Sequence, residues 1–252
     1  MNPTSVARFG RRLYSQLGSR LGLDSLSGLR LSRRDDLREL GAKGGSWVIP
    51  TDRLNSGSVC YCVGCGEDIS FDLSLMQSIG CEVHGFDPTP RAIRYVTDIT
   101  RNLEGYHFNA FGLWSCDDQL QFFAPREESH VSHSLVNLQR TTKFVEVPVR
   151  RLSGVMQDNG HDHIDLLKLD IEGAEYAVID SILQDELEIS VLCVEFDEFW
   201  NPLDRGFRHR IRDRCQRLAS RGYQLVDFRG NGNYTFLLED GGHATAWADG
   251  TM

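Results

Sequence analysis

The sequence predicts an α/β fold, a doubly wound and mostly parallel sheet closed by an antiparallel terminal hairpin strand, with an N-terminal helical extension. Three observations predict it. From Trp47 onward, short apolar runs alternate with segments whose apolar residues recur every three to four positions, the mark of strands alternating with helices and of right-handed parallel crossovers. Several runs, such as Ile164–Leu169, are continuous rather than alternating, as expected of strands buried on both faces. Near the end, Gly230-Asn231-Gly232-Asn233 joins two apolar runs, a strong hairpin signal.

The elements follow in order. Residues 1–45 read as a basic helical segment and linker, with Val6, Phe9, Leu13, Leu17 and Leu21 at helical spacing and a short helix expected over Arg33–Leu40. Residues 46–240 form the main domain. There Ser58–Val63 reads as a strand, Ile69–Ile79 as a helix, Glu82–Phe86 as a strand, Ile93–Leu103 as a helix and His107–Phe111 as a strand. Leu120–Phe123 and Phe144–Val149 flank a polar stretch, 124–143, that reads as a long loop or hairpin. Strand Ile164–Leu169, helix Tyr176–Leu183, strand Val191–Phe196, helix Arg208–Ser220 and strands Gln224–Asp227 and Tyr234–Leu238 complete it. Residues 241–252 read as a tail.

Composition narrows the function classes. The 252 residues are 40% hydrophobic and 25% charged, ordinary for a globular chain with a substantial core. The net charge of −9 is uneven: seven arginines and one acid fall in residues 1–34, so the remainder carries −15. An acidic body argues against nucleic acid as a partner. No apolar run approaches the roughly 20 residues of a membrane span. Seven cysteines, several inside strand-like runs, behave as small buried hydrophobes and point to a reducing, cytoplasmic location. Cys60, Cys62 and Cys65 lack a second Cys/His pair at zinc spacing, so no metal ligands are assigned to them.

The chemistry gathers at strand ends. Ile164–Leu169 runs into Lys168, Asp170, Glu172 and Glu175 within eight positions. Ionised groups are costly to desolvate unless they are paired or meet a ligand, and ligands of open α/β sheets bind beyond the carboxyl ends of the strands. Val63-Gly64-Cys65-Gly66 lies between a strand and a helix, where glycine permits a tight turn and close ligand approach. Asp87 ends the next strand, 23 residues after Gly64, placed to accept hydrogen bonds from the hydroxyls of an adenosine ribose. The turn and acid fit NAD, FAD or S-adenosylmethionine (SAM). An NAD-dependent oxidoreductase would want a third glycine near Asp68–Phe71, and none is there.

Gly64-Cys65-Gly66-Glu67-Asp68, Asp87-Pro88 and above all Leu167-Lys168-Leu169-Asp170-Ile171-Glu172-Gly173-Ala174-Glu175 resemble the FkbM family of SAM-dependent methyltransferases, over about residues 46–240. The resemblance implies a Rossmann-like class I methyltransferase fold and SAM as cofactor. It implies that Gly64, Cys65, Gly66 and Glu67 frame the methionine part, with Glu67 or Asp68 taking the amino-group role of an acid that the family often carries just before the first glycine. Here Cys62 and Val63 occupy those positions. It further implies that Asp87 holds the ribose with Pro88 and Thr89 beside it, that Asn109, Ala110 and Phe111 lie near the adenine, and that Asp170 faces the methyl sulfonium.

Methyl transfer needs in-line alignment and exclusion of water, and a hydroxyl acceptor needs a base. Asp170, Glu172, Glu195 and His133 are the candidates. Neighbouring carboxylates raise one another's pKa, which suits a base; they could equally hold a divalent cation, which is not the expected arrangement. Phe196, Phe199 and Trp200 read either as an acceptor floor or as core. The expected activity is O-methylation of a hydroxyl on a sugar or secondary-metabolite small molecule. A non-catalytic binding protein on the same scaffold is the alternative from another class, and oligomeric state, a homo-oligomer included, stays open.

Overall fold

The computed structural model describes residues 24, 26–126, 133–230 and 232–239. The helix expected over residues 6–21 and the tail after 240 lie outside them. In chain order the strands and helices are β1 Leu37–Leu40, β2 Trp47–Pro50, β3 Val59–Val63, α1 Ser70–Ile79, β4 Glu82–Phe86, α2 Pro90–Thr100, β5 Tyr106–Asn109, β6 Gly112–Trp114, β7 Asp118–Phe123 and β8 Phe144–Arg151. There follow α3 Leu152–Asn159, β9 Ile164–Leu169, α4 Glu175–Gln184, β10 Ile189–Glu195, α5 Phe207–Ser220, β11 Tyr223–Phe228 and β12 Asn233–Leu238.

Seven strands form the main sheet in the order β11-β12-β10-β9-β3-β4-β5. The neighbours from β10 through β9, β3 and β4 to β5 pair in parallel. β12 is antiparallel to both β10 and β11, so it inserts between them and leaves β11 at the edge. The central strands are largely apolar because both faces are covered. Tyr61, Val63, Leu167, Leu192 and Val194 pack with residues of α3, α4 and α5 on one side. Cys60, Cys62, Leu166, Val191 and Cys193 pack with α1, Trp47 and Ile49 on the other. Among the described residues no helix is long and apolar enough to cross a membrane.

The helix boundaries follow local chemistry. α1 ends on Gly80 in the left-handed conformation, its N–H returning to Met76 O. α2 opens with Pro90 at its first turn, where no backbone donor is needed.

One expected element is corrected. Arg33–Leu40 is not helical: Leu37–Leu40 is strand β1, paired antiparallel with β2 from Leu37↔Pro50 to Leu40↔Trp47. The i, i+3 spacing of Leu37 and Leu40 suits a helix. The turn through Gly41 and Gly44, both at positive φ, instead folds the segment back on the apolar Trp47-Val48-Ile49. The polar stretch 124–143 links β7 and β8, an antiparallel pair that forms a second, three-stranded sheet with β6. Its described part returns to β7 through a bridge between Phe123 and Ser134.

The tightest crossing in the fold lies where β3 and β9 end. Gly64 has φ +86, and a Cβ there would lie 1.7 Å from the carbonyl oxygen of Asp170. Gly64→Ala combines a left-handed alanine, about 1–2 kcal/mol, with a backbone clash of the overpacking kind, about 1–3 kcal/mol. A melting temperature roughly 5–15 °C below wild type is expected in thermal denaturation.

Candidate active site

A cavity of about 330 Å³ opens beyond the carboxyl ends of β3, β4 and β9. Its wall includes Gly64 through Asp68, Asp87 through Thr89, and Asp170 through Glu172. Gly44, Gly45, Phe71, Gly112, Leu113, Phe122 and His133 also line it. Three motifs far apart in sequence therefore meet in one hollow.

The glycine turn is fixed from both sides. Gly64 N–H donates to Phe86 O at 2.9 Å, tying the turn to β4, while Lys168 Nζ donates to Gly64 O at 2.9 Å from β9. Gly66, at φ +53, donates its N–H to Asp87 Oδ2 at 2.9 Å. Asp87 Oδ1 accepts from Thr89 N at 2.8 Å and Thr89 Oγ1 at 2.6 Å. Three of the roughly four lone-pair sites of this carboxylate are thus filled. It holds the loop and keeps one position for an incoming hydroxyl, with a second available if the Thr89 hydroxyl rotates away.

Cys65 lies in the cavity wall, and its thiol packs among buried residues with Cys62 O at 3.8 Å and the Tyr106 hydroxyl at 3.7 Å. Burial pushes its thiol far up, so it is no nucleophile. Glu67 is held by Arg91 at 2.6 Å. Asp68 accepts the N–H of Ser70 at 2.9 Å at the start of α1. Asn109, Ala110 and Phe111 do not line the cavity. The Asn109 amide donates to Gly85 O and His107 O, and Phe111 packs on Phe86 beneath the Arg150 guanidinium. Gly112, Leu113 and Phe122 form the wall on that side.

At the end of β9, Lys168 is buried and pairs with Asp170 Oδ2 at 3.3 Å. Glu172 takes φ +52 and Gly173 φ +102, a strained pair that turns the chain sharply into α4. A Cβ on Gly173 would lie 2.3 Å from Val136 Cγ2, so the segment after His133 sits directly on this turn. Here the otherwise unpatterned polar stretch joins the site, and it brings His133 to the cavity.

Behind Asp170 and Glu172 lies a set of buried acids. Burial pushes Glu195, at the end of β10, up to about 9, with Asp170 and Glu172 adding to the rise. Glu175 opens α4 yet is wholly buried; it accepts Gly173 N–H at 2.8 Å. Burial pushes it up to about 8 despite the Gly173 bond, which pulls the other way. Asp197 is raised as well, by burial first and then by Glu172 and Glu175. Glu175 Oε2 and Asp197 Oδ2 are both buried without a hydrogen-bond partner, so both carboxyls favour the protonated form. Glu195 does not line the cavity itself.

Asp197 escaped the sequence reading. Its one signal was an Asp-Glu pair directly after an apolar strand. Its neighbour Glu198 is engaged elsewhere, bound in bidentate fashion by Arg210 at 2.5 and 2.7 Å. Phe196 and Phe199 are buried in the core, with Trp200 packed at its margin, and none of the three lines the cavity.

A doubly wound sheet whose glycine turn, strand-end acid and second acidic turn share one cavity defines a cofactor-binding α/β domain of the Rossmann-like methyltransferase class. The family model described as "Methyltransferase FkbM domain" matches residues 61–225, more than half of the chain, and the chain belongs to the FkbM methyltransferase family. It is 32% identical over 143 residues to "Probable methyltransferase-like protein 24" of Homo sapiens, a match covering 56% of this chain and 32% of that protein. The rat protein of the same description matches equally over 33% of its length. The chain thus aligns with about a third of these curated relatives. Among solved structures, "Methyltransferase FkbM from Methylobacillus flagellatus KT" is similar over 73% of this chain and 44% of that one, with 11% identity and a TM-score of 0.47.

The raised acids set a direction for stability. Glu175 and Glu195 titrate near 8 and 9 in the folded chain and near 4.3 when unfolded. Between these values the folded state holds more protons, so stability falls as pH rises from about 5 to 9. Thermal melts across that range should show a declining melting temperature. Glu195→Gln should flatten the decline; an unchanged slope in that variant would show that Glu195 ionises freely.

Proposed function

We propose that this domain is a SAM-dependent methyltransferase acting on a hydroxyl of a small molecule, with a sugar or secondary metabolite as acceptor. The observation that carries the reading is the convergence of Gly64–Gly66, Asp87 and Asp170–Glu172 on one cavity. Its volume of about 330 Å³ falls in the range of small-ligand sites, about 300–1,000 Å³, and the donor set suits a nucleoside carrying a cationic group.

SAM supplies an electrophilic methyl on a sulfonium. On this reading the backbone of Gly64–Gly66 and the acids Glu67 and Asp68 hold the amino-acid end, and Asp87 accepts from a ribose hydroxyl. The cofactor wall assigned to Asn109–Phe111 passes to Gly112 and Leu113. Asp170 faces the sulfonium, and its pairing with Lys168 at 3.3 Å orients it. Glu172, turned into the cavity by its left-handed backbone, takes the proton as the acceptor oxygen attacks. His133, also on the cavity wall, helps exclude water. Glu195 stands behind Asp170 and Glu172 as a positioning acid.

Calorimetry with S-adenosylhomocysteine tests the cofactor half: saturable binding is expected, and no binding at millimolar ligand would end the reading. Asp87→Ala should weaken that binding about tenfold or more, or about 1.4 kcal/mol. Glu172→Ala should leave it nearly unchanged and lower turnover on any accepted hydroxyl compound. Equal kinetics in both variants would show that the site lies elsewhere.

A further inference from the structure

A second cluster of chemically capable side chains lies away from this cavity, where β4 meets β5. Glu82 and His84, two apart on β4, share a face of the strand, and His84 stands directly opposite His107 of β5 in the parallel register. The two imidazoles stack with ring centroids 4.7 Å apart, and His107 Nε2 lies 3.2 Å from Glu82 Oε2. One ligand atom from each residue lies within 4.8 Å of the other two, and this is the one His/Cys/Asp/Glu group of three found so placed among the described residues. We propose that Glu82, His84 and His107 bind a divalent transition-metal ion of the zinc class at a site separate from the methyl-transfer cavity.

The donor chemistry carries the assignment. Two imidazole nitrogens and one carboxylate oxygen suit Zn²⁺, Ni²⁺ or Cu²⁺ and are a poor set for Mg²⁺ or Ca²⁺, which prefer oxygen. Ligands at about 2.0–2.2 Å from such an ion stand roughly 3.3–3.5 Å apart in tetrahedral geometry. The Glu82–His107 pair already meets that spacing, and side-chain rotation supplies the rest. Regular strand pairing fixes the backbone of all three residues, so side-chain rotation alone brings the donors together. The site is open to solvent, with the His107 and Glu82 side chains 48% and 69% exposed, which gives an ion a route in and leaves a fourth position for water. On the inner side His161 meets His84 edge-on at 5.0 Å while its Nδ1 bonds to the Tyr61 hydroxyl at 2.8 Å; it walls the site and completes no ligand set.

Such an ion would clamp β5, the edge strand of the main sheet, to β4. His84 lies three residues before Asp87, roughly 10 Å along the strand, so the clamp would steady the two strands that lead to the cavity without entering it.

The test uses the untagged full chain and Zn²⁺ in competition with a chromophoric chelator, together with the visible spectrum of bound Co²⁺. One equivalent per chain is expected. His107→Asn and Glu82→Gln, both at exposed positions, should each weaken Zn²⁺ binding about tenfold or more, or about 1.4 kcal/mol, and leave S-adenosylhomocysteine affinity intact. His163, which pairs with Asp162 at 2.7 Å and Asp165 at 3.5 Å, is the control. Binding kept in His107→Asn but lost in His163→Asn would overturn the assignment. So would the absence of saturable one-equivalent binding.

Discussion

The ammonium of Lys168 is the contact on which the rest of the site depends. It is buried between the turn after β3 and the turn after β9, donating to the Gly64 carbonyl at 2.9 Å and pairing with Asp170 at 3.3 Å. Burial alone would drive such an amine toward neutrality; the Asp170 and Asp72 carboxylates more than offset this and hold it charged. Asp72, itself raised by burial, is steadied by Lys168 and by the Tyr106 hydroxyl at 2.8 Å. A buried charge of this kind is favourable only while its partners stay in place. Together with the Asp170 N–H bond to Val63 O at 3.2 Å, this side chain ties the glycine turn to the acidic turn, both of which line the cavity.

The same site sorts its carboxyls by environment. Asp87 and Asp170 have donors: three hydrogen bonds for one, a lysine for the other. Glu175, Glu195 and Asp197 have burial and each other, and their protons are correspondingly hard to remove. Glu172 stands between the two groups at the cavity wall.

Much of this was legible in the sequence because period and burial speak directly. The continuous apolar runs at β3, β9 and β10, the glycine turn and the acid after Phe86 mark the main sheet and its ligand edge. Less was legible where short-range pattern and tertiary partner disagree. Leu37 and Leu40 carry helical spacing, yet a glycine-rich turn and an apolar partner made them a strand. α3, at Leu152–Asn159, is short and carries only three buried residues, so its period was too brief to read. Phe111, expected near the adenine through the family resemblance, packs against Phe86 and Arg150 and stands outside the cavity wall. Asp197 and the Glu82–His84–His107 group are invisible to linear spacing because each depends on a neighbour from another segment.

The most direct test of the central claim is Lys168→Met, which keeps the length of the side chain and removes its charge. Leaving Asp72 and Asp170 without it costs about 3–5 kcal/mol by analogy with broken buried pairs, so a melting temperature roughly 10 °C or more below wild type is predicted. At a temperature where the variant remains folded, its calorimetric affinity for S-adenosylhomocysteine should fall together with that stability. Wild-type affinity in a folded Lys168→Met protein would contradict the account, because the two turns would then hold their spacing without the lysine.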